Sequence, residues 1–478
     1  MTNEFLLTLL VAAPLLGAIT LPFLGRFSEN LRNIAALLFV VIACLCSLAL
    51  IPVVMSGTIV SVSIAGFPIF LADNLAVFMA LVSSLVGSII VFYSFGYIEH
   101  YEFRDEYYFM VVLFLGAMMG LVFSRNLIML YLFWEITAIA CWRLIGFFRE
   151  KSYVWKADKA FLVTVFGALM MLVGFLFIYD QTHSFDLVKI KQVLNGQPIS
   201  NIAVSLILCG ILSKSATVPL HTWLPDAGVA PSPVTALLHA AVLVKIGVYV
   251  YARLFVATFA IDPMWHTIVP IIAGASALIS AGAALIDTDI KRIIAYSTVS
   301  QLAFIILGLS IGNKIGLLGA ILYILMHGLA KGGLFLCAGI VEHQTHTKDI
   351  TKLGGLFKTM PITAISFILC AFSVMGIPPL GGFFSKFMVM TGAVASGSLL
   401  IPIVFLVGGF MTIIYLFRVF VMVFLGESKL AGSFKEGSNS MIISVAILAL
   451  LSIAGGVLIN VPSDFALAAV QQMLEVVK

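Results

Sequence analysis

Long uninterrupted apolar runs recur along almost the whole chain, from Leu6 to Asn460. Each run is near or above the roughly 20 residues that an α-helix needs to cross a bilayer. Because the runs are continuous rather than alternating, they favour helices over the strands of a β-barrel. Only 10% of the residues are charged, whereas soluble domains carry roughly 25%. We therefore predict an all-α polytopic membrane protein whose solvent is the lipid bilayer.

The apolar runs predict about fourteen transmembrane helices, numbered here as spans one to fourteen. The predicted spans cover residues 5–24, 33–54, 74–97, 108–124, 126–147, 159–180, 201–219, 232–255, 266–286, 292–312, 315–340, 361–392, 399–425 and 441–460. Thr58–Leu71 alternates polar and apolar residues and predicts a short hairpin outside the membrane. We predict an amphipathic loop at Ser184–Gln192, and at most a short surface helix over the tail Val461–Lys478.

The distribution of lysine and arginine predicts the orientation, because cytoplasmic loops carry an excess of these residues. The loops after odd-numbered spans form one side, called the basic side below, and hold thirteen of them: Arg26, Arg32, Arg104, Arg149, Lys151, Lys156, Lys291, Arg292, Lys348, Lys352, Lys358, Lys429 and Lys435. The opposite side holds six: Arg125, Lys189, Lys191, Arg253, Lys314 and Lys478. We therefore expect a multi-pass protein of the cell inner membrane whose termini face away from the cytoplasm. The net charge of +4 reflects these loops and indicates no nucleic-acid partner.

Two predicted spans are interrupted by proline or glycine. Span seven stops at Thr217–Pro219 and resumes at Trp223–Pro225, and span twelve breaks at Met375–Gly382. The breaks lie five spans apart, and an odd offset means that the second unit enters the membrane with opposite polarity. Broken helices at matching places in inverted halves indicate an ion path near the midplane, although ordinary proline kinks are the alternative. We predict two inverted five-helix repeats, which divide the chain into 1–107 (spans one to three), 108–255 (first repeat), 266–425 (second repeat) and 426–478 (span fourteen and tail).

Ionisable side chains inside the predicted spans are the main functional signal. Among them are five charged residues and two histidines: Glu135, Lys214, Lys245, Lys331, Lys386, His239 and His327. At roughly 2.5–3.5 kcal/mol each, the five charges cost about 15 kcal/mol, comparable with the net stability of a domain. They must therefore pair, hydrate or lose their charge, and a water-bearing path inside the protein allows all three. We predict a proton relay through these seven residues, with a fixed structural partner as the alternative for any single one.

Spacing and electrostatics support this relay. His327 and Lys331 are four residues apart, so they share a helix face about 6 Å apart along the axis. At an effective dielectric near 20, an ion pair is worth about 4 kcal/mol at 4 Å and about 2 kcal/mol at 8 Å. A movement of Glu135 relative to Lys214 would therefore switch that lysine between holding and releasing a proton.

Other charged residues and the cysteines give weaker signals. Arg143, near the end of span five, is expected to reach the membrane surface, and Lys159 is either the relay's entrance or an interfacial anchor. The segment Asp287–Arg292, which includes Lys291, is predicted to be a solvated loop. The six cysteines fall inside apolar runs and are predicted to be small buried hydrophobes. No phosphate-binding loop, haem motif or metal motif is evident, so we expect no cofactor, no metal and no active-site chemistry of the chain's own.

Several longer motifs resemble one known family. They are Ser213–Ala227 (SKSATVPLHTWLPDA), Ala230–Ala240 (APSPVTALLHA), Asp289–Gln301 (DIKRIIAYSTVSQ), His327–Lys331 (HGLAK) and Gly376–Lys386 (GIPPLGGFFSK). Together they resemble the antiporter-like membrane subunits of respiratory complex I, a family that also includes subunits of Mrp-type cation/proton antiporters and of membrane-bound hydrogenases. The resemblance covers most of the chain.

The resemblance implies a role for each predicted site residue. Glu135 and Lys214 match the switching pair of the family, and Lys386 matches the residue near which protons leave. The remaining matches, His239, Lys245, His327 and Lys331, would form the hydrated polar axis between them. Two departures leave the parent complex open: one complex I subunit type has glutamate at the place of Lys386, and Trp142-Arg143 replaces an apolar pair.

Three functional hypotheses follow. The main one is a proton-translocating subunit of a multi-subunit membrane complex, driven by a redox module or by cation exchange, with other membrane subunits as partners. The second is a stand-alone sodium/proton antiporter, and the third is a structural subunit without transport. The sequence does not separate protons from sodium as the carried ion.

Overall fold

The computed structural model describes residues 2–64, 66–430 and 434–475. Lys478, which was counted for the orientation, lies outside the described residues, as does the end of the predicted tail. The structure is almost entirely helical, and nineteen α-helices are numbered in chain order. They are α1 Asn3–Phe27, α2 Glu29–Met55, α3 Asn74–Tyr97, α4 Arg104–Phe123, α5 Leu127–Ile145, α6 Lys151–Thr182, α7 Leu187–Leu194, α8 Asn201–Lys214, α9 Trp223–Asp226, α10 Ser232–Ala236, α11 Leu243–Tyr251, α12 Trp265–Ile286, α13 Ile290–Ser310, α14 Lys314–Thr345, α15 Pro361–Met375, α16 Gly381–Ala395, α17 Leu400–Phe424, α18 Asn439–Val457 and α19 Asn460–Glu475.

Among the described residues, twelve helical segments are long and apolar enough to cross a membrane. They correspond to twelve of the predicted spans, with α10 and α11 together forming the segment Ser232–Val256. The other two predicted spans are the ones with breaks, and each contains a shorter apolar helix, α8 and α15 respectively. The prediction of a multi-pass all-α membrane protein is confirmed, and the count of fourteen spans stays a prediction.

The helix breaks of spans seven and twelve lie where proline and glycine predicted them. Helix α8 ends at Lys214, and the chain passes Pro219, which has no N–H to donate, before α9 begins. Helix α15 ends at Met375, and the next residue, Gly376, has a left-handed φ of 84°, as is common just after a helix. The two halves of span twelve then cross closely, because a Cβ added at Gly382 would lie 1.8 Å from the carbonyl oxygen of Ser373.

Span eight is less regular than its sequence predicts. Between α10 and α11 the chain forms a wide π turn, Leu237–Ala241, and a second π turn, Ala252–Val256, follows α11. No glycine or proline lies within either turn. Such turns carry one extra residue and reorient the side chains next to them, often at functional sites. The first turn carries His239, which it directs into the middle of the protein, where the residue is fully buried.

The smaller elements lie outside the predicted spans. Strands β1 (Val60–Ile64) and β2 (Phe67–Ala72) form an antiparallel pair, which confirms the predicted hairpin. The predicted loop at Ser184–Gln192 is wrong in part, because Asp186 caps the short helix α7 there. Helix α19 lies in the predicted tail and buries one face, including Phe465, against α3 and α14.

Helices α6 and α14 end in the same way on opposite sides of the protein. Both have 32 residues, and both finish in Gln-Thr-His with the histidine, His183 or His346, in the left-handed conformation. The threonine of each returns a hydrogen bond of 2.7 Å to its own helix. This match between helices five spans apart favours two inverted repeats. The repeats and the domain boundaries remain predictions.

Burial divides the helices into a centre and a periphery. The segment α10–α11 and helices α13 and α14 are almost entirely buried, whereas α1, α2, α6, α17 and α18 expose much of their apolar surface. Large side chains such as Trp155, Leu162 and Phe410 lie on that exposed surface. Because a lipid-facing helix needs an apolar exterior, this arrangement is the one expected in a bilayer. Four of the predicted relay residues lie on these central helices: His239 and Lys245 in the α10–α11 segment, and His327 and Lys331 on α14.

Candidate functional site

The first pair of predicted site residues, Glu135 and Lys214, approaches without direct contact. Lys214 is fully buried at the end of α8, and its Nζ donates to the carbonyl oxygen of Trp134 at 3.2 Å. The same Nζ lies 5.1 Å from the centre of the Trp134 ring, a cation–π distance. Glu135 follows on α5, half-buried, with Tyr131 within hydrogen-bond reach one turn earlier. No ion pair joins the described side chains of Glu135 and Lys214, although their charges interact.

Lys245 and His327 form the closest contact among the site residues. Their Nζ and Nδ1 atoms are 2.5 Å apart, and both side chains are fully buried. Lys245 lies on α11 just after the irregular turn, and His327 lies in the middle of α14. The other ring nitrogen of His327, Nε2, has no hydrogen-bond partner among the described residues. The imidazole therefore contacts the Lys245 amine through one nitrogen, and its other nitrogen has no partner among the described residues.

His239 is fully buried in the first π turn, and neither of its ring nitrogens has a hydrogen-bond partner in the described part of the chain. Its ring packs on Phe335 at 4.4 Å between centroids. Since buried polar groups are nearly always satisfied in folded proteins, such a side chain is a common sign of function. His239 lies within electrostatic reach of Lys331 and Lys291.

Lys331 is fully buried one turn after His327 on the same helix. Its Nζ donates to the hydroxyl of Ser297 at 2.6 Å and to the carbonyl oxygen of Ile294 at 3.1 Å. Both acceptors lie on α13, so Lys331 joins α13 to α14 through its polar end.

Ser297 begins a chain of buried polar side chains that sequence reasoning missed. Tyr415 donates to Ser297 at 2.8 Å and lies 3.2 Å from the Thr412 hydroxyl. Gln301 donates to Thr412 at 3.2 Å and accepts from Tyr323 at 2.5 Å. All five side chains are buried. The one available signal was the spacing of Ser297 and Gln301, which are four apart and share a face of α13.

Lys386 lies at the far end of this chain. Its Nζ donates to the carbonyl oxygen of Val374 at 2.6 Å, so the lysine bridges the break between α15 and α16. The same Nζ lies 5.5 Å from the ring centres of Phe304 and Tyr323. The Tyr323 ring is in turn 6.0 Å from that of His327. Tyr323 is therefore interposed between the central histidine and the last lysine.

The structure thus brings the seven predicted residues into two groups. Glu135 and Lys214 form the first group, and the other five form the second, in which the charge of His327 interacts with those of all four others. Among the described residues, no hydrogen bond or ion pair joins the two groups, and none of the four relay lysines forms an ion pair with a carboxylate. The second group thus brings three lysines together without a carboxylate partner in the described chain, and like charges close together in a buried site disfavour one another.

The predicted solvated loop at Asp287–Arg292 is wrong for Lys291. Asp289 caps α13, accepting from the backbone N–H of Lys291 at 2.9 Å, so the helix begins earlier than expected. That start turns the Lys291 side chain inward, where it is 1% exposed and pairs with Glu342 at 2.8 Å. The sequence did not predict this pair, because Lys291 lies in the first turn of α13 rather than in a loop.

Lys159 and Arg143 are held by carboxylates near the basic side. Lys159 pairs with Asp226 at 2.8 Å, and the other oxygen of Asp226 accepts from Arg292 at 3.1 Å. Arg143, in the last turn of α5, forms an ion pair with Glu106. Asp226 therefore ties α6 to the start of α13 next to the break after α8.

Within the described residues, no group of three or more histidine, cysteine or acidic side chains could hold a metal ion. The cysteines of the described chain are free thiols, five of them buried and Cys209 partly so.

The sequence of this chain is similar to those of known membrane proteins. A family profile described as "NADH:quinone oxidoreductase/Mrp antiporter, TM" matches residues 124–412. The "Na(+)/H(+) antiporter subunit A1" of Staphylococcus aureus is 35% identical over 488 residues, which cover 94% of this chain and 61% of that protein. The chain thus spans about three fifths of the length of the curated relatives that it matches.

Two solved structures share the fold. A chain of the Mrp complex from Dietzia sp. DQ12-45-1b superposes with a TM-score of 0.90 at 22% identity, covering 99% of this chain and 98% of that one. A chain of the membrane-bound sulfane sulfur reductase, an archaeal respiratory membrane complex, also gives 0.90, at 24% identity and 98% coverage of both. At these identities the likeness concerns the fold alone.

Proposed function

Since the chain belongs to the NADH:quinone oxidoreductase/Mrp antiporter membrane family, we propose that it carries protons across the membrane as one subunit of a multi-subunit complex. The observation that carries the proposal is the fully buried contact of Lys245 with His327, 2.5 Å apart. An ammonium group beside a neutral imidazole is a proton donor facing a proton acceptor. No carboxylate fixes the charge on either residue within the described structure.

The proposed relay includes both groups of residues. The charge of Glu135 sets whether Lys214 holds its proton, because the two interact without forming a fixed pair. Lys245, His327 and His239 carry the proton through the centre, and Lys331 and Lys386 hold it on the far side. Tyr323 and the hydroxyl chain from Ser297 connect these last two lysines.

The driving force, partners and orientation belong to the same proposal. The printed names of the relatives describe an antiporter of sodium and protons and a membrane complex, which supports other membrane subunits as partners and sodium exchange as the coupled reaction. The basic side faces the cytoplasm, so both termini face away from it. The chain requires no cofactor or metal of its own.

The test uses the full chain within its complex, in sealed inverted vesicles. Lys214→Ala and Glu135→Ala should each abolish proton movement, measured with a pH-sensitive dye, while the amount of assembled complex is unchanged. Lys189→Ala is the matched control, because Lys189 is an exposed lysine on α7, outside the spans. Native transport by both relay variants would refute the proposed function.

The printed name of the sodium/proton antiporter relative supports one second candidate, exchange by this chain alone. It predicts that the purified chain, reconstituted into liposomes, moves protons when a sodium gradient is imposed. Exchange that appears only with the other subunits present would exclude it. Proton movement that no buried lysine variant alters would instead favour the structural subunit without transport.

A further inference from the structure

We propose that protons are taken up at a cluster of three histidines on the basic side, His100, His343 and His346, called the histidine mouth below. From there they pass over the ion pair of Glu342 and Lys291 to His239. This inference rests on the proposed function, which it extends by naming where protons enter the second group of relay residues.

The exposure of the three histidines decreases from the surface into the protein. His100, just after α3, and His346, which ends α14, are both exposed, whereas His343 on α14 is half-buried. The ring centres of His100 and His343 are 6.4 Å apart and the rings are stacked. The charge of His343 interacts with those of both other histidines. Its Nδ1 is buried and has no hydrogen-bond partner in the part of the chain that the structure describes.

A largely buried polar cluster lies next to the histidine mouth. Glu342, the residue before His343, accepts from Lys291 at 2.8 Å and from the hydroxyl of Ser232 at 3.1 Å. Lys291 also donates to the carbonyl oxygen of Ala230 at 2.9 Å. The hydroxyl of Tyr97, whose ring lies 5.4 Å from that of His343, donates to Ser232 at 3.4 Å. The Tyr97 ring therefore links His343 to this cluster, and the polar contacts of the cluster continue to the start of α10.

The segment that starts with Ser232 leads directly to the relay. Ser232 is the first residue of α10, which runs into the π turn that carries His239. Seven residues of helix rise about 10 Å, roughly a third of the hydrocarbon core. The charge of Lys291 acts on His239. The Glu342–Lys291 pair thus lies between the mouth and the unpartnered imidazole.

Each proton transfer balances within these residues. A protonated His343 gives its proton to the Glu342 carboxylate, and the Lys291 ammonium gives one to neutral His239. The Glu342 carboxyl then returns its proton to the Lys291 amine, which restores the ion pair. The net result moves one proton from His343 to His239 and requires no other reactant.

Two of the other titratable groups around the mouth, Glu342 and Lys291, take part in the transfer, and the rest are three tyrosines and one lysine. They come from α3 and the segment after it, from α13 and from α14 and the turn beyond it: Tyr93, Tyr97, Tyr101, Lys291, Glu342 and Lys348. Burial raises the pKa of the Tyr101 hydroxyl, so this side chain stays protonated throughout the neutral range. Histidine is the side chain whose ordinary charge change falls near neutral pH, which suits it to exchange protons with the solvent.

The test measures the initial rate of proton uptake in inverted vesicles, where the basic side faces the medium. His343→Gln and Glu342→Gln should each slow uptake by about 10²-fold or more, the contribution of a positioned acid–base group. The rate of His343→Gln should also lose its dependence on pH near neutrality, and added imidazole should restore uptake by His343→Ala. The matched control is His183→Gln, since His183 is the exposed histidine of the same Gln-Thr-His sequence on the opposite side.

Lys214→Ala, measured in parallel, separates this inference from the proposed function. If Lys214→Ala loses transport while His343→Gln and Glu342→Gln keep native rates per assembled complex, the histidine mouth is wrong and the proposed function stands. Variants that only reduce the amount of complex, with an unchanged rate per complex and no imidazole effect, also overturn the inference. Native transport by both Lys214→Ala and Glu135→Ala refutes the proposed function instead.

Discussion

The contact between Lys245 and His327 predicts that these two residues share a single proton. Their nitrogen atoms are 2.5 Å apart, and two unit charges at that distance repel by about 7 kcal/mol at an effective dielectric of 20. Since 1.4 kcal/mol is a factor of ten, the doubly charged pair is disfavoured by about 10⁵-fold. The pair should therefore hold one proton, with His327 neutral and its Nδ1 accepting from Lys245. Protonation of His327 then requires Lys245 to give up its own proton.

The perturbation is His327→Gln, which keeps a side-chain acceptor for Lys245 but cannot carry a proton. Proton movement in sealed vesicles should fall by ~10²-fold or more, the contribution of a positioned acid–base group, with complex assembly unchanged. Nitrogen-15 NMR of labelled histidine in lipid should show His327 neutral at pH 7, and the variant identifies its signal. His266→Gln is the control, because His266 is exposed at the start of α12.

Two results would refute this reasoning. An imidazolium signal from His327 at pH 7, with Lys245 also charged, would mean that the repulsion is screened far more than a buried site allows. Native transport by His327→Gln would mean that protons bypass the imidazole.

The other predictions concern residues outside the seven predicted relay residues. Tyr415→Phe removes the hydroxyl that donates to Ser297, so we expect unfolding to become easier by about 1–3 kcal/mol and proton movement to slow, checked by thermal unfolding and the vesicle assay; an unchanged rate would remove Tyr415 from the path. Burial lowers the pKa of Lys191 to about 8, helped by the charge of Arg253. Because an unfolded lysine titrates near 10.4, its protonated form favours the unfolded state, and its contribution to stability should rise between pH ~8 and ~10.4. Lys191→Met should lack that rise when both proteins are unfolded by heat across this range, and parallel curves would contradict the assignment.

From the sequence we could predict those site residues that carry a high free-energy cost of insertion into a membrane. A lysine such as Lys331 or Lys386 in an apolar run costs too much to be there by accident, so its position alone indicates a polar interior. Tyr415 and Gln301 carry no such penalty, because uncharged polar residues are common in membrane helices, and their hydrogen bonds depend on which helices pack together. Lys291 was misjudged because its burial follows from a helix start set by Asp289, and helix ends are read from sequence only to within a few residues.

The same limits apply to the backbone. Pro219 and the glycines after Met375 predicted both helix breaks, because proline and glycine act locally on the chain. The π turn at Leu237–Ala241 has neither residue and arises where its segment packs against α14. It is tertiary packing, not local preference, that directs His239 inward, and a single sequence does not display that packing.

The partners of the buried cations distinguish fixed charges from mobile protons. Arg253 is held by the carboxylate of Asp73 through two hydrogen bonds, and a carboxylate stabilises only the charged form of its partner. Lys214 and Lys386 instead donate to the backbone carbonyl oxygens of Trp134 and Val374. A neutral amine donates to a carbonyl as an ammonium group does, so these lysines keep their partner when the proton leaves. Loss of a proton from Lys214 or Lys386 would therefore break no ion pair, whereas loss of the Arg253 proton would leave the Asp73 carboxylate without its partner charge.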